Sequence, residues 1–205
     1  MNAVIIELRQ YELVPGGRAT LVELFEREFV EPQVAVGVDL IGTFEDLDGP
    51  DRFVWMRGFP DPESRVAALR AFYFGPVWKQ HAAAANATMI DSDNVLQLRH
   101  AGTGPRFPPP VDSAAPRAGA DPPPLIAVTV YPGTAALDAR LAADTRTVAV
   151  LRTDPSGNGF PQLPVRDEQV LVWIRRFADP DAYTPGPGAP LQELRLRPTR
   201  RSRLR

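Results

Sequence analysis

Cysteine is absent from all 205 residues. That excludes disulfides, thiolate metal sites and a cysteine nucleophile. Histidine is nearly absent: His81 and His100 are the only two, and their separation does not suit a zinc site. Haem held by one histidine stays open. "DSDN" (Asp91 to Asn94) offers oxygen ligands but lacks the loop and downstream glutamate of a calcium hand, so it reads as a turn. No glycine-rich phosphate loop occurs, because "PSGNG" follows a strand and opens no helix. No Ser-His-Asp elbow occurs either. Neither a metal nor an organic cofactor is expected. No apolar run reaches the roughly 20 residues of a membrane-spanning helix. A strand-like pattern starts by Val4 and leaves no room for a signal peptide. A cytoplasmic protein with no membrane partner is expected.

Charge of one sign is also lacking, with a formal net charge of −2. Nucleic acid is therefore not an expected partner. The balance is uneven along the chain. Residues 1–100 carry nine basic and fifteen acidic side chains; residues 101–205 carry fourteen and ten. Much of the second excess lies in "RPTRRSRLR" (Arg197 to Arg205), which reads as a solvated terminus or as an electrostatic contact with an acidic partner or nucleic acid. Lys79 is the one lysine among 23 basic residues, which reads as GC-rich coding rather than mechanism.

What is present is strand and helix punctuation. In "VIIELRQYEL" (Val4 to Leu13), Ile5, Glu7, Arg9 and Tyr11 share one face, and Val4, Ile6, Leu8 and Gln10 share the other. The second face is apolar and is expected to meet helices. "RATLVELFEREFVEPQVA" (Arg18 to Ala35) has helical spacing, and Pro32 is expected to bend or restart it. Residues 38–47 and 52–59 read as a hairpin around "DGPD". Asp61 and Pro62 open a helix that Gly75-Pro76 interrupts, and "NVLQLRH" (Asn94 to His100) is a fourth strand after "DSD". The order β-α-β-β-α-β is that of a ferredoxin-like unit, a split βαβ sheet with its helices on one face.

Residues 101–124 contain eight prolines and read as a linker. Beyond it the pattern returns in shortened form. Trp55, Arg57, Phe59, Asp61 and Pro62 match Trp173, Arg175, Phe177, Asp179 and Pro180 at a constant offset of 118, a repeat signal. "LQELRLR" (Leu191 to Arg197) parallels "LQLR" (Leu96 to Arg99), and "PGPGAP" stands where the second helix should be. The division is 1–100 for a first repeat, 101–124 for the linker, 125–197 for a second, degenerate repeat, and 198–205 for an arginine-rich tail.

Each ferredoxin-like sheet leaves one face bare. Two such sheets can close face to face as an α+β barrel, which removes their edges, either within one chain or between two in a homodimer. The side chains between the sheets would then line a cavity. Glu7, Arg9 and Tyr11 are expected there, with either Phe53, Trp55, Arg57 and Phe59 or Val54, Met56 and Gly58 from the third strand. The larger, partly polar set suits a ligand. Alternatively, Trp55 and Trp173 are ordinary core residues and each arginine pairs with a nearby carboxylate.

"ELRQYELVPG" (Glu7 to Gly16) and "YFGPVWKQHAAAANATMIDSDNVLQLR" (Tyr73 to Arg99) resemble the NIPSNAP family, closely over 4–100 and more weakly over 125–197. The resemblance implies a dimeric-type α+β barrel. It implies little chemistry, since the wider superfamily spans cofactor-free monooxygenases of aromatic polyketides, haem enzymes and isomerases.

Around the Gly-Pro break, His81 could act as a base toward a phenol or activated C–H. Arg57 and Asn86 could stabilise an oxyanion. Arg9, Tyr11, Trp55, Tyr73, Trp78 and Trp173 could bind a flat, mostly apolar substrate. The expectation is a cofactor-independent oxygenase acting on a phenolic or polyketide-like small molecule in secondary metabolism. The alternatives are a non-catalytic ligand-binding or scaffold protein, and an isomerase or cyclase using the same cavity.

Overall fold

The computed structural model describes residues 3–102, 104–107, 123–133 and 138–205, with the backbone alone at 138 and 139. Most of the expected linker, 103 and 108–122, lies outside the described residues, as do 134–137. The elements are β1 (Ile5–Leu13), α1 (Gly17–Leu24), a π-helical turn (Phe25–Phe29), α2 (Val30–Ala35), β2 (Asp39–Asp46), β3 (Arg52–Phe59), α3 (Pro62–Tyr73), α4 (Pro76–Asn86) and β4 (Met89–His100). They continue with β5 (Leu125–Pro132), α5 (Asp138–Ala142), β6 (Thr147–Thr153), β7 (Val170–Phe177), a 3-10 turn (Pro180–Ala182) and β8 (Gln192–Pro198).

The strands close into one antiparallel barrel in the order β1-β3-β2-β8-β5-β7-β6-β4. Closure happens within this single chain, through two seams. At one, Phe44, Glu45 and Asp46 of β2 pair with Pro198, Arg197 and Leu196 of β8. At the other, Leu98, Arg99 and His100 of β4 pair with Thr153, Arg152 and Leu151 of β6. Every strand thereby has two neighbours and no ladder edge is left open.

The barrel interior reverses the expected assignment of faces. Ile6, Leu8, Val54 and Met56 join Val128, Val172, Ile174 and Leu194 in one buried apolar cluster shared by both halves. The greasy face of β1 therefore points between the sheets, and Glu7, Arg9, Tyr11, Trp55 and Arg57 point outward under the helices. The physical reason is packing. Two sheets meeting face to face need interdigitating aliphatic side chains and leave no donors to satisfy charges, whereas helices can bring polar partners of their own. A polar link inside is the side-chain amide pair of Gln10 and Gln192, at 2.9 Å in both directions.

Local chemistry sets the helices. Asp61 caps α3, accepting from the Ser64 amide at 2.6 Å, with Pro62 at the first position. The expected break at Pro32 is instead absorbed upstream. The π turn at Phe25–Phe29 shifts the hydrogen-bond register before Pro32, so that the missing proline N–H falls in the first turn of α2. "DSD" is not a turn between elements. It lies inside β4, where the register against β1 slips between Gln10 and Leu13, as β-bulges allow.

The arginine-rich tail is not a frayed terminus. Thr199, Ser202 and Leu204 are buried, and the Leu204 amide donates to the Ile41 carbonyl at 2.9 Å. His100, at the end of β4, is half-buried, with its ring against Phe107.

Candidate functional site

The site starts at Glu7, whose side chain is fully buried. Strand register sets Glu7 opposite Arg57 and Arg9 opposite Trp55. Three guanidiniums converge on this one carboxylate. Arg9 Nη1 donates at 2.9 Å, Arg57 Nε at 2.7 Å and Arg65 Nε, from α3, at 2.6 Å. Burial alone would raise the Glu7 pKa, but Arg57, Arg9 and Arg65 together hold it well below the usual carboxylate range.

The cluster continues into aromatic walls. Arg9 Nε donates to the Tyr11 hydroxyl at 3.1 Å, leaving the phenolic proton to be given elsewhere. Burial raises the Tyr11 pKa, against the opposing pull of Arg9, so Tyr11 is a neutral donor at pH 7 rather than a base. Arg57 lies 4.8 Å over the Trp55 ring, a cation–π contact. Tyr73 and Trp78 meet edge-on at 4.9 Å.

Between this face and α3 and α4 lies a cavity of about 290 Å³. Its polar wall is Arg9, Tyr11, Asn86, Ser92 and Gln162. Its apolar wall includes Tyr73, Trp78, Met89 and Phe160. The volume sits at the small end of ligand pockets, which run from roughly 300 to 1,000 Å³. A further chamber of about 20 Å³ is lined by Tyr11, Trp55, Tyr73 and Trp78 among others. That is room for about one water. Trp55 Nε1 is buried and has no hydrogen-bond partner.

The cover of the cavity comes from the other half of the chain. The connection between β6 and β7 reaches over α3, with Phe160 buried between Tyr73 and Phe74, 6.5 and 6.2 Å from their rings. Asn158 holds it. Its Oδ1 accepts from Arg65 Nη1 at 3.1 Å and from the Phe160 amide at 3.1 Å, and its Nδ2 donates to the Leu163 carbonyl at 2.8 Å. Both ends are tied to β4, through Asp154 N to Gln97 O at 2.9 Å and Arg166 N to Val95 O at 2.8 Å.

Of the expected site residues, Arg9, Tyr11, Tyr73, Trp78 and Asn86 share this cavity. Arg57 and Trp55 stand behind its wall. Arg57 Nη1 makes two long contacts of 3.5 Å, to Gln33 Oε1 and the Tyr73 hydroxyl. His81 is not brought to the cavity wall. Its Nε2 lies 3.4 Å from Glu28 Oε2, and its ring is edge-on to Phe29. Trp173 belongs to the second half, where its Nε1 donates to Thr147 Oγ1 at 2.8 Å. Arg65 and Phe160 escaped sequence reasoning. Arg65 did leave a signal: it shares the buried helical stripe of Ala68, Leu69 and Phe72, where a charge has no place without a partner.

The corresponding face of the second half is plugged. Strand register there sets Ala127 opposite Arg175 and Thr129 opposite Trp173, with no carboxylate facing Arg175 across this strand pair. Arg175 Nη1 donates to the Thr184 carbonyl at 2.9 Å. Gly186 approaches so closely that a Cβ there would lie 2.4 Å from the Tyr131 hydroxyl. The "PGPGAP" segment thus fills the space that is open in the first half. Among the described residues no group of three or more histidines and carboxylates could hold a metal ion, and no helix is long and apolar enough to cross a membrane.

No curated protein matches the chain. A candidate monooxygenase from Fusobacterium nucleatum superposes with a TM-score of 0.60 at 11% identity, covering 97% of this chain and 94% of that one. One from Lactobacillus acidophilus gives 0.57 at 10% identity, covering 98% and 95%. At such identities these likenesses show the fold. An uncharacterized NIPSNAP-like domain protein from Burkholderia xenovorans is 26% identical and covers 55% of this chain and 97% of its own, with a TM-score of 0.48. The NIPSNAP family model matches residues 6–101, the stretch that holds nearly all of β1 to β4 and builds all of the cavity except its cover.

Proposed function

We propose that the chain is a small-molecule enzyme of the cofactor-independent oxygenase type, acting in the cavity beneath α3 and α4 on a flat phenolic or polyketide-like substrate. The observation that carries this reading is the meeting of an aromatic box with a buried guanidinium and a neutral phenol at one cavity wall. Tyr73 and Trp78 form an aromatic wall against which the substrate packs. Arg9, Tyr11 and Asn86 stabilise the oxyanion that forms when it loses a proton. Arg57 positions this wall through Glu7 and Tyr73. With His81 outside the lining, proton loss rests on the substrate's own acidity, raised by the nearby guanidiniums.

For an anthrone the balance is simple. The CH₂ carbon gains one oxygen atom of O₂ and becomes a ketone, its two hydrogens leave with the other oxygen as water, and the electron pairs come from the substrate. A place among the tailoring reactions of secondary metabolism fits such a substrate. The same reading takes residues 1–100 and 125–197 as two copies of one ferredoxin-like unit joined by 101–124. Its support is that each half has its first strand in the centre beside its third and fourth, with the second outside the third.

Oxygen uptake with dithranol tests the reaction. Uptake above background that survives chelator, falls at least tenfold in Tyr11→Phe and Arg9→Met, and persists in His81→Ala is the expected result. Background-level uptake by the unaltered protein would sink the oxygenase reading. Ligand binding that persists without uptake would then favour the non-catalytic carrier.

A further inference from the structure

Charge does not balance around Glu7. Arg9, Arg57 and Arg65 are each at most 1% exposed, and Glu7 is 0% exposed. Each of the three forms its ion pair with this same carboxylate. Among the described residues no second carboxylate lies within salt-bridge reach of any of them. Their other partners are neutral: the hydroxyls of Tyr11 and Tyr73, and the amides of Gln33 and Asn158. Arg65 Nη2 is buried with no hydrogen-bond partner. Dipoles soften a buried charge but do not neutralise it, and uncompensated buried charge is costly to hold. Two formal positive charges are left over. Guanidinium does not shed its proton to relieve them.

The surplus has one route to the cavity. Arg9 belongs to the cluster and also lines the space, beside Tyr11, Asn86, Ser92 and Gln162. The rest of the lining is mostly apolar, from Tyr73, Trp78, Phe160, Leu163 and Met89. A matching molecule has a negatively charged oxygen at one end and a flat apolar body at the other.

The geometry points to an aromatic acid bound as its anion, with its carboxylate or ionised phenol against Arg9 and Tyr11 and its rings against Tyr73, Trp78 and Phe160, offsetting one of the two surplus charges of the buried arginine cluster. This deepens the proposed function, resting on the same cavity and naming the charge state in which its ligand binds.

Calorimetric titration of the full chain with 2-naphthoate and with its neutral isostere 2-naphthamide tests it. The expected result is at least tenfold tighter binding of the carboxylate, with Arg9→Met bringing the two ligands to within about twofold by weakening only the carboxylate. Should Arg9→Met fail to fold, the ratio in the unaltered protein decides. Equal binding of the two ligands, tighter binding of the amide, or no binding of either at millimolar concentration would overturn the inference. The two readings fail separately. Carboxylate preference without oxygen uptake removes the oxygenase and keeps the anion, whereas dithranol oxidation with no preference for charge does the reverse.

Discussion

Glu7 is the residue on which the first half's charge depends. Changing it to Gln would strand three buried guanidiniums, and breaking a buried ion pair from one side costs about 3–5 kcal/mol. Urea unfolding of Glu7→Gln at pH 7 should show a loss of that order; a loss under 1 kcal/mol would mean the cluster is solvated after all. Its pH signature follows from the same fact. The folded pKa of Glu7 lies below its ordinary value of 4.5, so below pH 4.5 the unfolded chain binds the proton first and stability falls as pH drops. His100 acts over a separate window. Burial, helped by Arg106, pushes it down to about 4 from 6.5, so its contribution is whole above pH 6.5 and is lost as pH falls toward 4. Urea midpoints measured from pH 7 to 3 should therefore flatten in two different places: between 6.5 and 4 for His100→Gln, and below 4.5 for Glu7→Gln.

At the scale of elements, the decisive piece is the β6–β7 connection. Phe160 is 1% exposed, and truncating a buried phenylalanine costs about 3–5 kcal/mol where the site cannot collapse. Much of that burial belongs to the connection itself, so Phe160→Ala should open it locally. Limited proteolysis should cut within 154–169 at least several-fold faster while β1 to β4 stay protected; unchanged cleavage would show that Asn158 alone holds the cover. This element also marks the limit of what the sequence made legible. Strand order in the first half, the hairpin and the α3 cap could all be read, because period-2 alternation and capping chemistry are local. Alternation also grouped Glu7, Arg9 and Tyr11 correctly on one face. It could not say which way that face points, because that depends on what the opposite sheet presents, and Val128 and Ile174 are more than a hundred residues away. Five expected site residues share the cavity because they flank one strand and one helix break. Phe160 was illegible for the opposite reason: an aromatic in a Gly- and Pro-rich loop acquires its meaning only from partners on α3.

For the whole molecule, the uneven charge has a structural use. Arg197 pairs with Glu45 at 2.6 Å and Arg203 with Asp39 at 2.7 Å. Arg195 pairs with Asp48 and Arg201 with Glu31. The basic end of the chain thus lies along the acidic first half, beside the β2–β8 seam. The exposed pairs of Arg195 and Arg197 are each worth about 0–1 kcal/mol, so the firmer part of this contact is the largely buried Arg203–Asp39 pair together with Leu204 and the 2.6 Å Thr43–Thr199 hydroxyl bond. Removing residues 199–205 should cost about 2–4 kcal/mol in urea unfolding, and raising the salt concentration should cost less than that. A truncated chain as stable as the full one would show that the barrel closes without its tail.

The cover over the cavity has a consequence in time. β1 to β4 leave the ribosome before the connection that roofs them has been made. At roughly 5–20 residues per second, the intervening stretch to residue 160 takes about 3–12 s to synthesise. Through that interval the apolar inner face and two strand edges await partners, and the arginine cluster lacks Asn158. Ligand capture can therefore begin only after the β6–β7 connection has arrived, so the finished pocket reports that synthesis has passed the β4–β6 seam of the barrel.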